Sequence, residues 1–273
     1  MSAGSFIAIG FGVWMLVVSL VLSLVRVAGR TETDSESPSV RLTSPRLPAA
    51  VLATGDPRDD PTLGRMLRVL ASEDPSAGRH AAAVARNAFN LAQHAGLPER
   101  DQEIAHTAGL LHDIGKETSL SAIPVAERAL RRGDHRKIRR HPVDGARLVR
   151  AVPGLERVAD AVLSHHERLD GNGYPYGLRG KAIPPAARVV AVAEVYDVLT
   201  APDSYKQPLT SEQALDELRG AAGTQLDADL VEIFAATVAN GADEGASGDA
   251  DLETELRRRH LTGELLDARP PLH

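Results

Sequence analysis

The chain contains no cysteine, and only 3% of its residues are aromatic. Without thiols there are no disulfide staples and no thiolate metal sites, so any metal must be held by His, Asp or Glu. A basic excess is also missing. The formal net charge is −6, and residues 241–273 carry eight acids against four arginines, which leaves the rest near neutral. With no basic stripe, a nucleic-acid duplex is not an expected partner.

The 273 residues are 43% hydrophobic and 25% charged, ordinary values for a chain that buries a core. One apolar run stands out: residues 6–25 (FIAIGFGVWMLVVSLVLSLV) have no charge. Twenty residues at 1.5 Å each cross about 30 Å of hydrocarbon, so residues 1–27 are expected to hold a single transmembrane anchor. No Lys or Arg precedes the run, as a cleavable signal would require, and Arg26 and Arg30 follow it. The positive-inside rule then places the chain in the cell membrane, single-pass, with its C-terminal part cytoplasmic. Residues 28–60, rich in Ser, Thr, Pro and Asp, read as a flexible linker, and residues 241–273 as an acidic, disordered tail in which residues 253–260 can form one short helix.

Between these lies a body, residues 61–240, with apolar residues at three and four spacing almost throughout. Helices are expected around residues 63–70, 81–92, 104–111, 124–132, 142–152, 155–166, 185–199, 211–221 and 228–239. The stretch ARVVAVAEVYDVL has β-propensity, but its length and alanines favour a buried helix. The fold class is therefore all-α. Residues 170–185 (DGNGYPYGLRGKAIPP) are too rich in glycine for regular structure, and a long loop in a compact domain is usually functional.

Of ten histidines, His94, His106, His135, His260 and His273 have no acidic or histidine neighbour at an informative spacing and read as surface or core residues. His80, His112, His141, His165 and His166 each fall on a helix or helix end. His112-Asp113 closes the apolar run AGLLHDIGK, where a buried pair is costly unless bound or paired. Imidazoles and carboxylates from several helices are how metal centres without thiolates are built. Adjacent helical residues project about 100° apart, so His165 and His166 are expected to serve two adjacent ions, or one ion and a substrate.

HDIGK at residues 112–116, His141-Pro142, and HHERLDGNGYP at residues 165–175 resemble the HD-GYP family, a branch of the HD-domain metal-dependent phosphohydrolases. The likeness spans about residues 63–240, including the closing AGTQLDADLVEIF. It implies an all-α HD-type helical bundle with a GYP loop, and a phosphodiesterase that hydrolyses cyclic di-GMP through a metal-bridging hydroxide. By the same resemblance His80, His112, Asp113 and Glu194 hold one divalent ion, and Asp113 bridges to a second held by His141, His165 and His166. The ions implied are iron or manganese rather than zinc or magnesium. Lys116 and Asp113 are the expected catalytic residues, with Lys116 neutralising a phosphate oxygen. Asp170, Gly171, Gly173, Tyr174 and Lys206 are expected to bind substrate. For Lys116 the plain alternative is a helix-end lysine favoured by the dipole, and for Tyr174 a core plug of the loop.

The chain departs from the family pattern at three points. Ser76 stands where metal-rich members have a Glu, which implies two ions rather than three. Glu194 replaces an Asp, lengthening a ligand by one methylene, while Asp197 one turn on is expected to brace the site. Asp203, in APDSYK, stands where members have an Arg against the ligand phosphate, although Tyr205 and Lys206 remain. These changes leave two alternatives open: a catalytically impaired signalling or scaffold module with protein partners, or a phosphohydrolase of another nucleotide phosphate.

Overall fold

The computed structural model describes residues 74–116, 139–202, 207–240 and 251–256. The expected anchor, the linker, the helices at residues 63–70 and 124–132, Asp203, Tyr205 and Lys206 lie outside the described residues. Among the described residues no helix is long and apolar enough to cross a membrane.

Among the described residues the main α-helices run in order: α1 (Pro75–His94), α2 (Glu99–Leu111), α3 (His141–Arg150), α4 (Glu156–Ser164), α5 (Pro185–Thr200), α6 (Ser211–Ala221) and α7 (Ala228–Ala239). The described residues contain no strand, only an isolated bridge between Ala222 and Leu226. The all-α expectation is met, and α6 and α7 occupy the residues that their apolar spacing predicts.

Local chemistry fixes the helix ends. Asp74 caps α1 by accepting from the Ser76 amide, with Pro75 opening the first turn. Ser76 also donates its hydroxyl to Asp74 Oδ1 at 2.5 Å, so the hydroxyl serves the cap. Thr210 and Gln213 form a reciprocal capping box on α6, and Asp227 caps α7. The central helix is α5, whose valines and alanines are buried nearly all round, as the length and alanine content of the segment predict. Helices α1, α2 and α4 pack on it, α2 lies along α1, and α3 pairs with α4. Gly109 and Gly115 make this approach possible. A Cβ on Gly109 would meet Ala85 Cα at 2.6 Å, and one on Gly115 would meet the His141 carbonyl oxygen at 2.2 Å. The second contact brings the end of the HDIGK turn against the start of α3.

Two features differ from expectation. Residues 252–256 are helical, within a residue of the start of the short helix expected at residues 253–260, but Leu252 and Leu256 are buried in the core rather than lying in a disordered tail. His106, read as having no acidic partner, is fully buried and bonds through Nε2 to Glu255 Oε2 at 2.7 Å. The partner is 149 positions away, beyond the reach of spacing arguments.

Candidate metal centre

His80 reaches the centre from α1, and its Nδ1 donates to Asp197 Oδ2 of α5 at 2.6 Å. Arg79 holds the other oxygen of the same carboxylate at 3.1 Å. His112 and Asp113 sit in the turn that ends α2, and His112 Nδ1 donates to the Gly109 carbonyl at 2.8 Å. His165 ends α4 in the same way, with Nδ1 donating to the Val162 carbonyl at 2.6 Å. Each of these three rings has its Nδ1 proton committed, so each neutral ring presents an Nε2 lone pair.

The His80 and His112 Nε2 atoms face one another, and that of His165 faces His141. His80 Nε2 lies 3.1 Å from His112 Nε2, and His141 Nε2 lies 3.2 Å from His165 Nε2. Either a proton or a cation must sit between such nitrogens. Two imidazole nitrogens at about 2.1 Å from one ion and about 95–110° apart are separated by about 3.1–3.4 Å, so these spacings suit shared ligation. Between the two pairs stands Asp113. Its Oδ2 is 3.3 Å from His112 Nε2 and 3.9 Å from His80 Nε2, while Oδ1 is 3.4 Å from His141 Nε2. Oδ1 is buried and accepts no hydrogen bond. A carboxylate with one oxygen toward each histidine pair is placed to bridge two cations. The donor atoms form two sets, His80-His112-Asp113 and His141-His165-His166, each compact enough to hold one divalent ion.

The second set corrects the expectation that His165 and His166 could not easily share an ion. Helix α4 ends at Ser164, and the chain turns there. The two rings lie 4.1 Å apart with 43° between their planes, rather than diverging as on a helix. Glu194 is buried on α5 among the charges of His112, Asp113, Lys116 and Asp197. It stands beside the first set without being one of its three donors.

Burial and charge tune these groups differently. For Asp113, burial works against ionisation, yet the charges of His112 and Lys116 outweigh it and hold the carboxyl well below the usual range. Burial also disfavours a charged His112, but adjacent Asp113 wins and raises it. Burial first, then the neighbouring histidines, push His165 and His166 well down, so they are neutral at pH 7. His80 is lowered mainly by burial, against the pull of Asp197. Burial drives Glu194 up to about 7, with Asp113 adding to the effect and His112 opposing it. Lys116 donates to Asp113 Oδ2 at 2.5 Å, so it faces the centre instead of serving only the helix end.

The glycine-rich loop forms a wall beside the second set. Glu167 anchors it by accepting from the Tyr176 and Leu178 amides at 2.7 and 3.0 Å. Gly173 lies so close to the turn before it that a Cβ would meet the Arg168 amide nitrogen at 2.4 Å, and Gly171 adopts φ +76°. Both glycines pack the loop. Asp170, expected to bind substrate, gives both oxygens to Arg168 at 3.0 and 2.6 Å and caps the Asn172 amide. Tyr174 stacks on His166 at 4.8 Å and 29°, and its hydroxyl is buried without a partner. It is both a plug for the loop and a polar group with no hydrogen-bond partner among the described residues. Sequence reasoning missed Glu167, although its place in HHE beside two expected ligands was visible. It also missed Arg139, whose guanidinium lies 4.5 Å over the Tyr174 ring and which has no spacing signal.

A family model described as HD domain matches residues 65–230. The chain belongs to the HD-domain family. Among curated relatives, the cyclic di-GMP phosphodiesterase response regulator of Xanthomonas campestris pv. campestris is 31% identical over 212 residues, covering 76% of this chain and 56% of that protein. A cyclic di-GMP phosphodiesterase of Pseudomonas aeruginosa is 38% identical, covering 54% of this chain and 36% of that one. The 3'3'-cGAMP-specific phosphodiesterase 1 of Vibrio cholerae is 32% identical, covering 56% and 36%. The chain thus spans 56% of the first of these relatives and 36% of the other two. Of solved structures, a cyclic GMP-AMP specific phosphodiesterase of Vibrio cholerae has TM-score 0.51 at 21% identity, covering 65% of this chain and 47% of that one. An HDGYP protein of Bdellovibrio bacteriovorus has TM-score 0.50 at 21% identity, covering 66% and 58%. At that identity the likeness concerns the fold.

Proposed function

We propose that the chain is a metal-dependent phosphodiesterase of 3′,3′-cyclic dinucleotides, acting on cyclic di-GMP. The observation that carries this reading is the pair of facing Nε2 lone pairs with the unpartnered Asp113 oxygen between them. His80, His112 and Asp113 would hold one divalent ion with Glu194 beside it, and His141, His165 and His166 the other, with Asp113 shared. Five imidazoles with a few carboxylates suit iron or manganese and disfavour magnesium, which prefers oxygen ligands. Two bound ions supply Lewis acidity toward phosphate oxygens and an activated water.

The chain's own residues do the rest. Asp197 and the Gly109 and Val162 carbonyls fix three rings by taking their Nδ1 protons. Lys116 brings an ammonium to the edge of Asp113, where negative charge accumulates on a phosphodiester under attack. The buried Tyr174 hydroxyl is available to donate to the ligand. Relatives named for cyclic di-GMP and for 3'3'-cGAMP support a cyclic dinucleotide as the substrate class. We also infer single-pass anchoring through residues 6–25, with this domain on the cytoplasmic face; protease accessibility in sealed membranes tests it.

The function is tested by assaying the full chain with Mn²⁺ or Fe²⁺ on cyclic di-GMP, 3′,3′-cGAMP and an unrelated nucleoside polyphosphate. Turnover of the cyclic dinucleotides, abolished by chelation, is expected. Hydrolysis of only the polyphosphate, or binding of cyclic di-GMP without turnover, contradicts the reading.

A further inference from the structure

We propose that Arg139 binds the second, non-reacting phosphate of the cyclic dinucleotide, an assignment that rests on the phosphodiesterase reading above. Arg139 lies two residues before His141, immediately ahead of α3. Its guanidinium covers one face of the Tyr174 ring, and that ring also stacks on His166 of the second histidine set. The stack therefore leads outward from the metal centre to a cation.

That cation is exposed, and among the described residues no carboxylate pairs with it. Its neighbour Arg140 is different, reaching Asp144 at 3.8 Å. Stacking occupies only the face of a guanidinium. Its N–H groups lie in the plane of the group and stay free, in a fork that matches two oxygens of a phosphodiester. The ring beneath is buried, which fixes the guanidinium in place, and the partnerless Tyr174 hydroxyl shows that the same wall has a polar group still to be satisfied. A cyclic dinucleotide carries two phosphodiesters. With one at the histidine sets, the other needs a cation outside them, and Arg139 is the exposed cation that the stack holds there.

The test uses the full chain and compares Arg139→Ala and Arg139→Lys with wild type on cyclic di-GMP, cyclic di-AMP and bis(p-nitrophenyl) phosphate. The last is a small diester with one phosphate. Arg139→Ala should raise KM about tenfold or more for both cyclic dinucleotides, the worth of one charge-assisted contact, with kcat changed less than threefold. The small diester should change less than twofold and the metal content not at all. Arg139→Lys should recover part of the KM, because it restores charge without the fork. Equal losses on all three substrates, or loss of metal, would show that Arg139 only braces Tyr174 and overturn the assignment. So would an unchanged KM, or a loss confined to the guanine ligand, which would mean base contact. A wild-type chain that cleaves the small diester but no cyclic dinucleotide overturns the function and this assignment together, and differs because the wild type itself fails.

Discussion

The two histidine sets have the same size but opposite electrostatics. His80, His112 and Asp113 sit among Asp197, Glu194 and Lys116, and their second ring nitrogens are held by a carboxylate and a carbonyl. His141, His165 and His166 contain no carboxylate of their own, borrow Asp113 from the first set, and lie against the aromatic wall of Tyr174. The charge of Asp113 favours protonation of His112 against its burial, whereas burial disfavours it at His165 and His166. The comparison teaches that one carboxylate makes two sites into one centre, and that the halves should respond differently to the same perturbation.

The severest way to break the comparison is Asp113→Ala, which removes the group common to both halves. Hydrolysis should fall by about 10³-fold or more, and the ion content should drop in both sets, as elemental analysis and kinetics together would show. Lys116→Ala should lower kcat by about 10²-fold while both ions stay bound, since an ammonium positioned for the transition state is lost without a ligand being lost. A change in thermal stability alone would assign Lys116 to the helix end instead.

Asp197→Asn separates the halves. His80 loses the partner that fixes its Nδ1 proton, so affinity for the first ion should weaken by about 10- to 100-fold while the second is retained. Competition with a fluorescent chelator would resolve the two affinities, and equal weakening of both ions would mean that the sets are not independent.

Acidity should give a milder contrast in the metal-free chain. His80, His165 and His166 have folded pKa values below the unfolded 6.5, so the unfolded chain binds more protons and stability falls as pH drops through about 6.5. His112 acts oppositely: its stabilisation is full below about 6.5 and is lost as pH rises through its raised value. Glu194, raised from its ordinary 4.5 to about 7, acts as His112 does, so the contrast is read in Glu194→Gln. There, three groups against one predict a lower Tm for the chelated protein at pH 5.5 than at 7.5, measured by calorimetry. A flat or reversed profile would mean that the second set is not held neutral.

Much of the fold was legible because it is written locally. The apolar spacing of α6 and α7 and the buried alanines and valines of α5 each sit on their own helix, and caps such as Asp227 lie within three residues of what they bond. The histidine ligands were legible as residues but not as an arrangement. His165 and His166 converge because α4 stops at Ser164, two residues short of the expected end, and helix ends are the least predictable part of a pattern. Contacts across the chain left no trace. Glu255 bonds to His106, Arg168 Nη1 donates to Gln225 at 2.8 Å, and Arg139 covers Tyr174, each pairing residues that no period connects. The hydroxyl of Ser76, engaged by Asp74, is consistent with two ions rather than three.

The most direct test of the account is the number of ions that activity requires. The metal-free full chain should be titrated with Mn²⁺ under anaerobic conditions while bound metal and cyclic di-GMP hydrolysis are followed together. Turnover should appear only as the second ion per chain binds and should level off at two. Full activity with one ion, or a need for three, would contradict a centre built from these two histidine sets joined by Asp113.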